Sequence, residues 1–187
     1  WIDVLLARLG VAQATLVGHS QGVLVALETA SRHPERVAAL TLIAGAMAIP
    51  VNDALIEMSQ SAPEKAYRMM TSWGHGPGAH KFDNTQPGHA FLGYGRRVMA
   101  QNDGAALHAD LVACNSYDGG KDAAASVTQP SLCLLAGKDK MTPVKFGRKM
   151  AKQISGAQCH VFERAGHFLP AEFPIEVNDA MAAFLSR

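Results

Sequence analysis

Short apolar runs alternate with helical segments at the start of this chain, and that order constrains its fold more than any other feature. Residues 1–9 and 21–32 have helical periodicity. An apolar run follows each of them, at residues 14–18 and 37–44. Short runs that are almost wholly apolar are typical of strands buried on both faces, as in parallel sheets. The first 50 residues therefore predict parallel strands joined by crossover helices.

The same order returns near the other end of the chain. Apolar runs at residues 131–136 and 158–163 are each followed by a segment of helical periodicity. These runs add two strands to the predicted sheet. We therefore predict an α/β fold with a mostly parallel sheet and crossover helices, whose core comprises residues 1–50 and 123–187.

The interval between these core segments, residues 51–122, does not follow the alternation. A capping-box pattern at Ser61 predicts a short helix through residue 70, and residues 105–113 predict another. The Gly-, Pro- and His-rich residues 72–89 indicate a long loop, and residues 118–122 indicate a hinge. We predict that this interval is a helical cap inserted into the sheet domain, with the long loop as its most mobile part.

Composition excludes several classes of partner. The 187 residues include 17 Lys and Arg against 16 Asp and Glu, so the formal charge is +1 and does not predict binding to nucleic acid or to an anionic membrane. No apolar run reaches the roughly 18 residues of a membrane span. The three cysteines are an odd and sparse set, which argues against a disulfide framework and predicts a reducing, cytoplasmic location.

Three polar residues follow predicted strands. Ser20 lies in Gly18-His19-Ser20-Gln21-Gly22, between a strand and a helix, where side chains at both glycines are expected to collide in a tight turn. Asp139 and His167 lie in the loops after the last two predicted strands. Because strand ends of a parallel sheet open on the same edge, the three side chains are expected to converge there.

This set of residues fits nucleophilic catalysis. A serine hydroxyl needs a base, which His167 can supply, and a carboxylate such as Asp139 fixes the imidazole tautomer. The backbone N–H of Gln21 is expected to stabilise an oxyanion at the helix start. Structural roles remain open as alternatives: Ser20 and Asp139 can each cap a helix, His167 can be a structural loop residue, and Asp53 is a second candidate acid.

Three segments resemble, in the same order, parts of the α/β-hydrolase family. Residues 16–22 resemble its strand 5 and nucleophile elbow, residues 135–143 its acid loop, and residues 165–174 its histidine loop. The resemblance implies a cofactor-free serine hydrolase that cleaves an ester, lactone or similar small acyl substrate through an acyl-enzyme on Ser20. It leaves two alternatives: a carbon–carbon bond hydrolase of the same fold, or a non-catalytic binding module.

Candidate substrate-binding residues follow from position. Met47 follows the second predicted strand, and Met141 lies beside the candidate acid. Trp73 and His75 lie in the predicted cap, and His19 is expected to pack beneath the nucleophile.

We predict no metal and no cofactor. His75, His80 and His89 are the histidines whose clustering could indicate a metal, and their spacings of 5 and 9 residues fit no standard ligand pattern.

The resemblance also implies that strands 1 to 4 and the first helix of the family have no counterpart here. In that family, strand 5 is central and pairs on both sides. We therefore expect the strand at residues 14–18 to form an open edge of the sheet. We further expect a preceding N-terminal segment, a separate chain or a second copy to complete the sheet.

Overall fold

The computed structural model describes residues 1–82, 90–102 and 104–186. Its centre is a four-stranded sheet in the order β1-β2-β3-β4, with every neighbouring pair parallel. The predicted parallel α/β fold is therefore confirmed. The strands are β1 (Ala14–His19), β2 (Val37–Ile43), β3 (Ser131–Ala136) and β4 (Gln158–Phe162).

Eleven α-helices occupy the described residues, and none of them combines the length and apolarity of a helix that crosses a bilayer. They are α1 (Ile2–Arg8), α2 (Gln21–Arg32), α3 (Asp53–Ser61), α4 (Pro63–Gly74), α5 (Pro77–Phe82), α6 (Phe91–Met99), α7 (Gly104–Ser116), α8 (Gly120–Ser126), α9 (Val144–Gln153), α10 (Leu169–Glu172) and α11 (Pro174–Leu185).

Helices cover both faces of the sheet, as a parallel sheet requires. Side chains alternate along β3: Cys133 and Leu135 face a cluster formed with α2, α8 and α9. Leu132 and Leu134 face the opposite cluster, which α10 and α11 complete. All six residues of β3 are buried, which explains why its sequence is a continuous run and not an alternating pattern.

The outermost strand β1 is much less covered. Among the described residues only β2 pairs with it, so the prediction that residues 14–18 form an edge is confirmed. Val17 on β1, Val4 on α1 and Leu9 directly after α1 are each more than half exposed. No Lys or Pro interrupts β1. Unpaired backbone groups and apolar side chains therefore lie together on this side of the sheet.

Helices occupy more of the interval between β2 and β3 than the sequence indicates. Residues 72–74 complete α4 and residues 77–82 form α5, so the prediction of a long loop is wrong for these positions. Residues 83–89 lie outside the described residues. The hinge predicted at residues 118–122 is also wrong in part, because α8 begins at Gly120, where the backbone packs directly against Met47. The cap boundaries and the mobility of this interval remain predictions.

The capping box predicted at Ser61 does not form. Ser61 is the last residue of α3, and its hydroxyl donates a hydrogen bond to the carbonyl of Glu57 in the preceding turn. Ala62 precedes α4 without a side-chain cap, and Pro63 occupies the first position of that helix. A proline at this position needs no N–H partner, so α4 begins without the polar cap.

The turn between β1 and α2 holds Ser20 in a strained conformation. Ser20 has φ +55°, and within the described ranges Ala44 is the other non-glycine residue with a positive φ. Ser20 N–H donates to the carbonyl of Ile43 at 3.0 Å, which fixes the turn to the end of β2. A Cβ on Gly18 would overlap the backbone of Gly22. A Cβ on Gly22 would meet no atom within 4 Å, so the expected collision there is wrong.

This asymmetry gives the first prediction. Gly18→Ala should lower the free energy of unfolding by about 1–3 kcal/mol or more, because its Cβ meets backbone atoms that cannot move aside. Gly22→Ala is the matched control, and it should be neutral or stabilising by up to about 1 kcal/mol, because Ala favours the helix. Urea denaturation of both variants measures the difference. Equal destabilisation of the two variants would show that the two positions do not differ in the space around Cβ.

The open edge of β1 gives the second prediction. A protein made of residues 1–187 alone should melt with low cooperativity and turn over p-nitrophenyl esters very slowly, because the strand that carries Ser20 is paired on one side. Circular dichroism during heating, size-exclusion chromatography and an esterase assay measure these properties. A monomer with a sharp transition and ordinary esterase turnover would contradict the prediction.

Candidate active site

The candidate acid and base form a buried pair at the carboxyl edge of the sheet. His167 Nδ1 lies 2.8 Å from Asp139 Oδ2, and the two side chains are 2% and 0% exposed. Asp139 Oδ1 accepts hydrogen bonds from the backbone N–H groups of Met141 and Thr142, both at 2.8 Å. With its Nδ1 proton donated to Asp139, His167 is in the tautomer that leaves Nε2 as an acceptor.

The structure also bears on the capping role considered for Asp139 and on Asp53 as a second candidate acid. Asp139 does not cap α9, because that helix begins at Val144 with Pro143 as its cap residue. Asp53 lies exposed in the first turn of α3, and Asn52 caps that helix by accepting from Leu55 N–H. The structure therefore pairs His167 with Asp139 and leaves Asp53 on the surface.

Thr142 also contacts this pair, although no sequence pattern indicates it. Its hydroxyl oxygen lies 2.7 Å from Asp139 Oδ2, 2.7 Å from the carbonyl oxygen of Ala44 and 3.3 Å from His167 Nδ1. A hydroxyl carries one proton, so it donates to one of the two oxygens at a time. Thr142 thereby connects the acid loop to Ala44, whose φ is +45°. Its only trace in the sequence is its place three residues after the acid, which is not a distinctive pattern.

His19 packs behind the base. Its Nε2–H donates to the backbone carbonyl of His167 at 2.7 Å, and the two ring centroids are 4.9 Å apart. Burial, followed by the nearby His167, lowers the pKa of His19, which favours the neutral ring that this hydrogen bond uses. The expected packing of His19 beneath the nucleophile remains a prediction. His19 does not line the cavity beside Ser20, which corrects its assignment as a substrate-binding residue.

Ser20 lies at the same sheet edge as this pair. His19, directly before it, contacts His167, and Ser20 N–H is bonded to the end of β2. In the part of the chain that the structure describes, no hydrogen bond joins Ser20 Oγ to His167. Of the expected Ser20–His167–Asp139 network, the structure therefore contains the hydrogen bond between His167 and Asp139. Hydrogen bonds of this kind are often long without a ligand and shorten in the substrate complex.

A cavity of about 240 Å³ lies beside Ser20. Trp73 and Met141 line this cavity, as predicted from their positions in the sequence. Other residues of α3, α4 and α7 contribute to its walls. Its walls are mostly apolar, with Lys140 and Asp110 as charged residues. The apolar lining consists of Ile49, Pro50, Val51, Leu55, Met70, Trp73, Leu107, Leu111, Cys114 and Met141. A larger cavity of about 420 Å³ lies between α2 and α7, and Ser20 does not line it.

Met47 and His75 do not line the cavity beside Ser20, which corrects two predicted substrate-binding residues. The Met47 side chain packs against the α2, α8 and α9 cluster, because the chain after β2 turns at Ala44 and runs toward α8. His75 is buried with its ring 4.6 Å from the ring of Phe168. Proximity in sequence to a strand end or to Trp73 does not determine which side of the chain faces the cavity.

Gln21 occupies the first position of α2, whose N–H groups have no acceptor within the helix. Its side-chain Nε2 donates to the carbonyl of Asp110 on α7 at 3.2 Å. This hydrogen bond fastens the first turn of α2 to a wall of the cavity. The geometry is compatible with the predicted oxyanion role of the Gln21 backbone, which stays a prediction.

The histidines considered as metal ligands bond to backbone. His75 Nδ1 and His80 Nε2 each lie 2.8 Å from a carbonyl, of Thr71 and Ser72 respectively. His89 lies outside the described residues.

Asp3, His33 and Glu35 bring ligand atoms within 4.8 Å of one another, and Arg36 already donates to Asp3 at 2.7 Å. Arg36 thus occupies one carboxylate oxygen of this partly exposed cluster, and the expected absence of a metal remains a prediction.

Two curated proteins of known activity are similar to this chain in sequence. A curated relative from a Pseudomonas species, a 2-hydroxy-6-oxononadienedioate/2-hydroxy-6-oxononatrienedioate hydrolase, is 21% identical over 96% of this chain and 65% of its own length. The pimeloyl-acyl-carrier-protein methyl ester esterase of Neisseria meningitidis serogroup B is 28% identical over 83% of this chain and 62% of its own length. The chain thus spans less than two-thirds of both curated relatives.

A solved structure has the same arrangement of elements. The enol-lactonase from Burkholderia xenovorans LB400 superposes with a TM-score of 0.90 at 20% identity, and the match covers 100% of this chain and 70% of that protein. The family model described as alpha/beta hydrolase fold matches residues 1–174. A match over so much of the chain establishes that it belongs to the α/β-hydrolase family.

Proposed function

We propose that the protein is a serine hydrolase that cleaves an ester, lactone or similar small acyl substrate through an acyl-enzyme on Ser20. One observation carries this proposal: the strained Ser20 lies at the same sheet edge as the buried Asp139–His167 pair, beside a cavity. Backbone strain at a polar residue with a paired base nearby is typical of functional sites.

The proposed reaction begins with attack of Ser20 Oγ on the substrate carbonyl carbon, while His167 Nε2 takes the hydroxyl proton. Asp139 keeps the Nδ1 proton in place and stabilises the imidazolium. The carbonyl oxygen becomes an oxyanion near the start of α2, where the Gln21 N–H can donate to it. When the tetrahedral intermediate collapses, its bond to the leaving oxygen breaks and His167 returns the proton to that oxygen.

A water molecule completes the proposed cycle. His167 Nε2 takes a proton from the water as it attacks the acyl carbon. The second tetrahedral intermediate then releases the carboxylic acid, and the proton returns to Ser20 Oγ. The chemistry needs no redox step, because each bond that breaks is replaced by a bond to an oxygen of serine or water.

The cavity supports a small, mainly apolar acyl group. Its volume of about 240 Å³ is below the roughly 300–1,000 Å³ that is usual for pockets of drug-sized ligands. The names of two similar proteins, a methyl ester esterase and an enol-lactonase, agree with acyl chemistry. The α3, α4 and α7 residues that line the cavity are the proposed cap side of the substrate site.

A carbon–carbon bond hydrolase is the second candidate, favoured by the name of the Pseudomonas relative. The same three residues serve both reactions, so the geometry alone does not separate them. Turnover of p-nitrophenyl esters, compared with turnover of a ring-cleavage diketone, discriminates the two. A non-catalytic binding module is the third candidate, and it would react with neither substrate.

The third prediction tests the nucleophile and its partners. In the full-length protein that contains this chain, a fluorophosphonate probe should label Ser20, and Ser20→Ala should abolish labelling. Asp139→Asn should lower kcat about 10⁴-fold, because the imidazole then loses the partner that fixes its tautomer. Asp53→Asn is the matched control, because Asp53 lies exposed on α3 and should leave kcat unchanged. Intact-protein mass spectrometry and steady-state kinetics measure these effects. Wild-type protein that stays unlabelled would rule out the serine mechanism.

The fourth prediction concerns the size of the acyl group. Trp73→Ala should enlarge the cavity and raise the ratio of octanoyl to butyryl ester turnover (as kcat/KM) about 10-fold or more, because each buried methylene contributes substantially to selectivity. Trp1→Ala is the control, since Trp1 is exposed and lines the cavity between α2 and α7, away from Ser20. A series of p-nitrophenyl esters of increasing length measures the ratio. An unchanged ratio in Trp73→Ala would remove this cavity as the acyl site.

A further inference from the structure

A buried carboxylate outside the proposed reaction bonds to the loop that carries the candidate base. Glu172, the last residue of α10, is 3% exposed, and its carboxylate bonds to two separate stretches of backbone. Oε2 accepts from the N–H of Gly76 at 2.9 Å. Gly166 N–H, directly before His167, donates to Oε1 at 3.1 Å and to Oε2 at 3.2 Å. One side chain therefore joins the α4–α5 turn to the loop that carries His167.

The two stretches of backbone fit closely around this carboxylate. Phe168 N–H donates to the carbonyl of Gly74 at 3.2 Å, so backbone also bonds to backbone across the contact. A Cβ on Gly76 would lie 2.7 Å from Glu172 Oε2 and 2.8 Å from Gly166 N. A Cβ on Gly166 would overlap the backbone of Gly76. Only glycines allow this approach, so the contact is built into the sequence of both segments.

The ionisation of Glu172 affects the strength of this contact. Burial raises the pKa of Glu172, and the hydrogen bonds from Gly76 and Gly166 act against that rise by stabilising the ionised form. Hydrogen bonds from N–H groups to an ionised carboxylate are stronger than those between neutral groups. The nearby Asp139 carboxylate disfavours ionisation of Glu172, and a positive charge on His167 would favour it.

The contact connects the wall of the cavity to the loop that carries the candidate base. Helix α4, which ends at Gly74, supplies the cavity residues Met70 and Trp73. Gly166 directly precedes His167. Any change in the distance between the α4–α5 turn and the histidine loop therefore changes both the cavity wall and the base.

We propose that Glu172 is a positioning residue that holds the α4–α5 turn against the histidine loop, so that the cavity wall and His167 keep one fixed relation. The expected effect of Glu172 on the reaction rate rests on the proposed serine hydrolase function. The contact between the α4–α5 turn and the histidine loop rests on the structure alone. Opening of the site then occurs at other parts of the cavity wall, because this side stays attached to the sheet domain.

Two variants should break the contact in different ways. Glu172→Gln keeps the size of the side chain but replaces an acceptor oxygen with an NH₂ group that faces N–H donors. Gly76→Ala leaves the carboxylate intact and pushes the α4–α5 turn away from Gly166. Glu176→Gln, on the exposed first turn of α11, is the matched control.

In the folded protein, hydrogen exchange followed by mass spectrometry should show that Glu172→Gln and Gly76→Ala each lose protection at both residues 76 and 166. In p-nitrophenyl butyrate hydrolysis, both variants should lower kcat/KM about 10- to 100-fold, with kcat falling and KM rising. Glu176→Gln should match wild type in both measurements. A merely structural role would lower the fraction of protein that the fluorophosphonate probe labels and would leave KM unchanged.

The outcomes separate this inference from the proposed function. Wild-type protein that is not labelled on Ser20 would overturn the serine hydrolase, and the exchange measurement would still decide whether Glu172 makes the contact. Labelled wild-type protein, together with a Glu172→Gln variant of unchanged KM and unchanged protection at residues 76 and 166, would overturn the positioning role alone.

Discussion

The hydrogen bond between His167 Nδ1 and Asp139 Oδ2 depends on a carboxylate that has no exposed side-chain surface. A buried carboxylate is stable in its ionised form only if hydrogen bonds replace the water it loses. The acid loop meets this requirement with the N–H groups of Met141 and Thr142 and with the Thr142 hydroxyl. The conformation of this loop, the end of β2 at Ala44 and the orientation of His167 are therefore parts of one arrangement.

The helices between β2 and β3 contact the sheet domain on two sides of the cavity. On one side, Glu172 holds the α4–α5 turn to the histidine loop. On the other, Gln21 on α2 donates to α7, and the hydroxyl of Tyr117, directly after α7, donates to Glu28 on α2 at 2.6 Å. That hydrogen bond is the main reason that the pKa of Glu28 is lowered. The cavity beside Ser20 lies between these two attachments, so its shape depends on polar contacts outside its own lining.

The sequence predicts the sheet well, because the signals for its strands are local. The four apolar runs match β1 to β4 within one residue at each end, and the segment predicted at residues 21–32 is α2. Ser20, Asp139 and His167 could be assigned to one sheet edge because a parallel sheet brings its carboxyl strand ends together. The edge position of β1 followed from the family resemblance and needed no tertiary information.

The predictions that were wrong depended on tertiary contacts. Helix α5 lies in a Gly- and Pro-rich stretch whose composition indicates a loop, and close packing of Gly76 against Gly166 accompanies its start. Met47 was assigned to the cavity by its place after β2, whereas the turn at Ala44 directs it to α8. Thr142 was not selected, because a threonine after an acid has no distinctive pattern until the backbone brings it near Ala44. Sequence alone does not specify which face a loop residue presents.

The two glycines around Ser20 differ in the space that surrounds them, and this has a consequence for recognising distant relatives. The backbone of the turn excludes any side chain at position 18, whereas position 22 has room for a methyl group. Sequences with alanine at the second position could therefore fold the same strand–turn–helix. A motif search that demands both glycines would reject such sequences, although the geometry around the serine gives no reason to do so. A search that fixes only the first glycine and the serine describes the steric requirement of this turn more faithfully.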